Sequence, residues 1–339
     1  MSADALLVET VERLFADVAT QEEIEHAETA GWSAPIWSAL ADAGFPWVGI
    51  ADDRGGSGGT LDDIAAILHA QGRTGAPAPL AETAMIGGWL MAAAGLRLPS
   101  GPVTAVDGRA EVQGGRLLVE GTAAWGRFAE RIVVATGHTV FALEPASLTI
   151  VPGANLAGEP RDHVAADVAI DGVEHAHLDG VDASTAIRDR GALSRMVLAA
   201  GALETVMQMT IDYTNERRQF GKPVATFQAV QSHLVTAAQS AVTTRMAADI
   251  AVRALASGSL GIEIAAARVV MDGAITAGTR AAHQAHGAIG VTREYRLHQL
   301  TRRLWAWRHE WGTTREWRRQ VGHAALARGA DALFDLITS

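Results

Sequence analysis

Residues Tyr213 to Gln231 read YTNERRQFGKPVATFQAVQ, and the fold turns on them. A helix ends near the paired cations Arg217 and Arg218, a glycine-assisted turn follows at Gly221-Lys222-Pro223, and a new helix starts by Phe227-Gln228. Pro and Gly punctuate helices in this way because Pro lacks an amide proton and Gly tolerates the turn. The run gathers a guanidinium, the side-chain amides of Gln219 and Gln228 and the ring of Phe220 at one corner. That set suits a ligand bearing both phosphate and an aromatic ring. Arg offers a planar fork of N–H donors to a pyrophosphate, Gln reads polar edges, and Phe supplies a flat face. The competing reading is a helical hairpin with solvated charges and a core Phe.

Further along stands Gln284-Ala-His-Gly287-Ala-Ile-Gly290-Val-Thr-Arg-Glu-Tyr295. The two segments together resemble the C-terminal helical domain of the acyl-CoA dehydrogenase family. There the Arg-x-x-Phe-Gly and Gln-x-x-Gly-Gly-x-Gly runs bind the pyrophosphate and adenine side of FAD, often across a subunit interface. The resemblance implies Arg217, Gln219, Phe220, Gln228, Gln284 and Gly287 as FAD contacts. Upstream, Trp37-Ser-Ala-Leu40, Ala43-Gly44-Phe45, Arg54-Gly55-Gly56-Ser57-Gly58-Gly59 and Gln71-Gly72-Arg73-Thr74-Gly75 are similar to that family's opening helical domain. The resemblance therefore covers nearly the whole chain.

Composition agrees and narrows the classes. A chain of 339 residues, 48% hydrophobic, is long enough for two or three domains. Its net charge of −10 disfavours nucleic acid and anionic membrane as partners. The first residues lack a basic region followed by an apolar run, and no apolar stretch is long enough to span a bilayer. Cys is absent, which removes disulfides, thiolate catalysis and Cys-zinc sites. A soluble, cytoplasmic protein is expected.

By texture the chain divides in three. Helical spacing of Leu61, Ile64, Ala65 and Leu68 marks an N-terminal helical domain, taken as 1–100. Short β-like runs at 116–119, 131–135, 139–143, 148–151 and 164–170 predict a small β domain over 101–185. The helical period returns from Ala186, with Leu193, Met196, Val197, Ala200 and Leu203 on one face, and predicts a C-terminal helical bundle over 186–339. The expected fold is mainly α with a small β domain; helices, then strands, then helices is the order the acyl-CoA dehydrogenase family shows, and the resemblance implies that fold with a C-terminal four-helix bundle.

The resemblance also fixes what to look for chemically. The family uses a flavin that takes hydride from the β-carbon of an acyl thioester and a carboxylate that removes the α-proton. Its base is a Glu just before a Gly-Thr pair, and aligning on Gly312-Thr313 puts Trp311 there. Glu310 falls one residue early, turned by about 100° on a helix, and is a weak candidate base. In a minority of members the base lies on the helix before the Arg-x-x-Phe-Gly run, where Ser194 stands. The loop that wraps the flavin ring has no counterpart in Pro99–Glu111, and Glu144-Pro145 comes too late and reads as an ordinary turn. Trp125 stands where the family often sets an aromatic against the flavin. Ala288 replaces the second Gly of the glycine run.

A retained FAD-contacting half with a degraded base resembles the short subunit of heteromeric, steroid-type acyl-CoA dehydrogenases. This implies a heterotetramer with a larger homologous subunit that supplies the base, an acyl-CoA substrate, and an electron-transfer flavoprotein as acceptor. The alternatives are a self-sufficient homo-oligomer using Glu310 and a flavin-free structural subunit. His283 and His286 have no Cys or carboxylate at ligand spacing, so they read as core or interface residues and no metal is expected. Trp305, Trp307, Trp311 and Trp317, alternating with Arg, read as a helix face packed into a neighbouring subunit. Gly55–Gly59 lacks the Gly-Lys-Ser/Thr ending of a phosphate loop and reads as a flexible connector.

Overall fold

The computed structural model describes residues 4–258 and 261–329. The chain forms two compact units whose boundary falls between Ser194 and Arg195, inside one long helix.

The first unit opens with helices α1 (Ala5–Val18), α2 (Gln21–Ala30), α3 (Ala34–Asp42) and α4 (Leu61–Thr74). Each begins where a short polar side chain satisfies a free backbone N–H: Asp4, Thr20, Ser33 and, in a reciprocal box with Asp63, Thr60. The apolar spacing read in α4 is its buried face, with Ile64, Ile67 and Leu68 almost fully covered. Each such side chain contributes about 1.5–3 kcal/mol. Gly55–Gly59 is not a loose connector. Gly58 N donates to Ile50 O and Gly49 N to Gly58 O, so the loop is tied back on itself. A Cβ on Gly56 would come within 2.1 Å of Ile50 O.

A π-helical turn (Ala81–Gly87) runs into α5 (Gly88–Ala93), and the chain then enters a seven-stranded sheet. Its strands are β1 (Val103–Gln113), β2 (Arg116–Ala124), β3 (Arg131–Thr136), β4 (Thr139–Leu143), β5 (Thr149–Val151), β6 (Arg161–Ala169) and β7 (Glu174–His177). They lie in the order β5-β6-β2-β1-β3-β4-β7, antiparallel except for β1 beside β3. Leu117, Val119, Ile132, Val134, Phe141, Leu143 and Val164 form the core of the sheet. Gly108 faces Gly121 across the β1–β2 ladder, and a Cβ on either would meet the other strand's backbone within 2.8 Å. Strand β1 occupies most of the Pro99–Glu111 stretch, which has no counterpart of the flavin-wrapping loop. Residues Pro145–Ser147 are the turn expected after Glu144.

Helix α6 (Ala183–Glu216) carries the chain into the second unit. There it is followed by a two-stranded hairpin, β8 (Arg218–Gln219) and β9 (Lys222–Pro223), then by α7 (Gln228–Ala256), α8 (Ile262–His286), α9 (Leu297–Trp307) and α10 (Thr314–Arg328). The Ala-rich faces of α7 and α8 allow close approach. A Cβ on Gly278 would lie 2.8 Å from Ser240 Cβ and 3.0 Å from Leu203. Helices, then strands, then helices is the order the sequence predicted.

The tryptophan stripe is a correction. Trp307, Trp311 and Trp317 are buried within this chain at 3%, 4% and 0% exposure, and only Trp305 is part-exposed. Helical spacing shows that a face is apolar, not which molecule covers it. No helix among the described residues is long and apolar enough to cross a membrane.

Candidate functional site

The corner singled out in the sequence is a tight hairpin. Helix α6 ends where Arg217 N donates to Tyr213 O at 2.8 Å, and Val224 N closes the far side by donating to Arg217 O at 2.8 Å. The turn is centred on Phe220-Gly221, one residue earlier than the sequence suggested. Both residues have positive φ, 52° and 78°, the pattern of a type I′ hairpin. Gly adopts it freely, but a bulky L-residue does so at a cost of about 1–3 kcal/mol. Phe220 is also 91% exposed. Arg217, Gln219 and Gln228 are exposed beside it in the chain. Phe227 holds the base of the hairpin, edge-on to Phe220 at 6.1 Å and beneath Lys222 Nζ at 4.5 Å.

The glycine segment lies at the end of α8. That helix stops at His286, and Gly287 takes φ 66° with open space around its Cα. Gln284 and Gly287 are both exposed. The link between the two segments was not read from the sequence. Tyr213, four residues before Arg217, stacks on His286 at 4.6 Å, and Tyr295 closes on His286 at 5.0 Å. His286 Nδ1 donates to Ala282 O at 2.8 Å, and burial holds its pKa below the usual imidazole value, so the ring packs neutral. His283 bonds Thr301 Oγ1 at 3.0 Å.

The candidate bases are occupied or absent. Glu310 Oε2 accepts from Arg195 Nε at 2.6 Å, and its backbone oxygen accepts from Arg268 Nη2 at 3.1 Å. Trp311 is buried with φ 59°. In the first unit Ser194 is fully buried and donates to Gly191 O at 2.7 Å. Trp125 is buried, with φ 51° and Arg161 over its ring at 4.9 Å. Among the described residues, the non-glycine positions with positive φ are Trp125, Phe220 and Trp311. All three are aromatic, and each is a position the sequence had marked.

Residues 179–326 match the family model described as acyl-CoA dehydrogenase, C-terminal domain. Acyl-CoA dehydrogenase IpdE2 of Mycobacterium tuberculosis is 26% identical over 306 residues, covering 88% of this chain and 89% of that protein. The structure is similar to the ChsE4-ChsE5 complex from Mycobacterium tuberculosis, with TM-score 0.80, 22% identity, and 97% and 98% of the two chains covered. It is also similar to a variant of the Tcur3481-Tcur3483 steroid ACAD, with TM-score 0.82, 21% identity, and 96% and 98% covered. Residues 179–326 therefore resemble the C-terminal domain of the acyl-CoA dehydrogenases, and most of the chain is similar to proteins of that family.

Proposed function

We propose that this chain is a subunit of an FAD-dependent acyl-CoA dehydrogenase that performs α,β-dehydrogenation of an acyl-CoA thioester, and that it completes the FAD site of a larger catalytic partner in a cytoplasmic heterotetramer. The observation that carries this reading is Phe220, held in a left-handed turn and left 91% exposed. A bulky ring kept in a costly conformation and in water is maintained for something that covers it. Around it, Arg217, Gln219 and Gln228 offer the fork and amides that a pyrophosphate and an adenine edge require, while the positive φ of Gly287 leaves its backbone open to close approach. These residues fit the adenosine-diphosphate half of FAD. The first unit fits the ring half poorly, since β1 occupies a stretch with no counterpart of the wrapping loop and Trp125 is packed under Arg161.

FAD, when bound, supplies the hydride acceptor. The base would come from the partner, because Glu310 is committed to Arg195 and neither Trp311 nor Ser194 is a carboxylate. Val235, Val242, Met246 and Ile250 are 45–59% exposed along one face of α7, and we assign the partner contact to that stripe in place of the buried tryptophans. The steroid acyl group and the electron-transfer flavoprotein follow from the family resemblance and from the steroid ACAD relative alone.

Co-expression with a larger homologous subunit should give stoichiometric flavin absorbance, and Arg217→Ala should weaken FAD retention by roughly 10- to 100-fold, the loss of a charge-assisted contact worth about 1.5–3 kcal/mol. Arg218→Ala is the control. Full occupancy and unchanged FAD affinity in Arg217→Ala would remove the assignment, and a colourless complex would leave a structural subunit. Phe220→Gly should raise the thermal stability of the isolated chain by about 1 kcal/mol by relieving the left-handed strain. The same change should lower flavin retention in the complex. Equal flavin content in Phe220→Gly and wild type would mean that the exposed ring does not serve the cofactor.

A further inference from the structure

The second unit also holds a cleft of about 660 Å³ between α7, α8, α10 and the chain leaving α9. Three arginines are among the residues that line it, Arg280 from α8, Arg308 just past α9 and Arg318 from α10, together with His233 of α7. In a chain of net charge −10 this is a local reversal of sign. The carboxylate lining the cleft, Asp272, is already engaged. Its Oδ2 accepts from Thr314 Oγ1 at 2.5 Å, and its Oδ1 lies 3.4 Å from Arg268 Nε. Among the described residues none of the three lining arginines has an ion pair.

Arg308 is already fixed in place. Its Nη1 donates to Thr276 Oγ1 at 2.7 Å, its guanidinium lies 4.8 Å over the Trp305 ring, and its buried Nε has no hydrogen-bond partner. A buried donor left open is unfavourable until an acceptor arrives. Cations that share one cleft and have no ion pair of their own repel one another, and a multiply charged anion removes that repulsion. Arginine forks match phosphate oxygens two at a time, so three of them exceed what one phosphate needs. The volume is that of a site for a nucleotide-sized molecule.

We propose that this cleft binds a diphosphate group carried by a nucleotide-sized ligand. It stands apart from the flavin reading, in which Arg217 faces the pyrophosphate, although Gln284 borders both. The chemistry is shared by a free nucleoside diphosphate and by the CoA part of a thioester, and the two are separated by experiment.

The test is isothermal titration of the full chain, alone and with its partner, at low salt. Inorganic pyrophosphate should bind saturably, and Arg280→Ala and Arg318→Ala should each weaken it about tenfold, that is about 1.4 kcal/mol. Both residues are exposed on their helices, so the fold should survive. Arg280→Lys and Arg318→Lys keep the charge without the fork and should fall between. Tighter binding of ADP than of pyrophosphate identifies a nucleotide site, and tighter binding of CoA identifies the thioester carrier. Absence of saturable binding at millimolar pyrophosphate, or equal affinity in both alanine variants, overturns the proposal. So does loss of binding in Arg217→Ala with none in the cleft variants, because the signal then belongs to the flavin corner.

Discussion

Replacing Glu310 by glutamine is expected to cost the second unit about 3 kcal/mol of stability while the assembled protein keeps most of its acyl-CoA oxidation. Arg195 is 2% exposed and its Nε lies 2.6 Å from the Glu310 carboxylate. Arg268, 1% exposed, has its pKa lowered by burial, with Asp272 and Glu310 pulling it back up. The two carboxylates together hold two buried cations. Glutamine keeps an oxygen for Arg195 but removes half of that counter-charge, and an uncompensated buried charge is costly. Urea unfolding midpoints and turnover of the complex separate the outcomes. Unchanged stability with turnover down by three or more powers of ten, about 4 kcal/mol of transition-state stabilisation, would make Glu310 the base and the chain self-sufficient.

The helices and most strands were legible because their signals are local. The spacing of Leu61, Ile64, Ala65 and Leu68 announces α4, and the run 116–119 marks β2, where Leu117 and Val119 are buried. Strand β1 was not legible. Its first four residues are buried and the remainder nearly all exposed, and Asp107-Gly108 sits in its middle, so it shows no alternation. The edge strand β7 reads Glu-His-Ala-His and has little apolar content. At the candidate site, residue types are what single out Arg217 and Gln228. Exposure of Phe220, the stack of Tyr213 on His286 and the cleft shared by Arg280 and Arg318 depend on pairings between distant segments, and no single stretch carries them.

Backbone strain adds what residue type does not. Trp125, Phe220 and Trp311 are costly in left-handed backbone, and tight packing explains two of them: Trp125 lies under Arg161, while Trp311 is buried just ahead of Gly312 and Trp317. A Cβ on Gly312 would lie 2.9 Å from Trp317 Nε1. Phe220 has no such cover. Packing therefore accounts for the two buried cases, and the exposed one, Phe220, is what the proposed cofactor contact rests on.

Asp189 gives a pH effect on the acid side of neutrality. It lies on α6 within the first unit, 2% exposed, and its Oδ2 has no hydrogen-bond partner. Burial pushes its pKa from 3.8 up to about 6, with Arg188 pulling the other way. Between those two values the folded chain binds more protons at this carboxyl than the unfolded chain does, so stability falls as pH rises through that window and stays lower above it. Across roughly two pH units the loss is about 3 kcal/mol. Asp189→Asn keeps the shape and removes the ionisation. It should therefore be more stable than wild type by up to about 3 kcal/mol near pH 7.5, and nearly equal to it near pH 4. Urea unfolding of the two proteins across this range, reported by the first unit, measures the difference directly. Parallel curves would show that the Asp189 carboxyl is solvated or paired in solution, and a deficit in the Asn variant at high pH would show that its charge is stabilising.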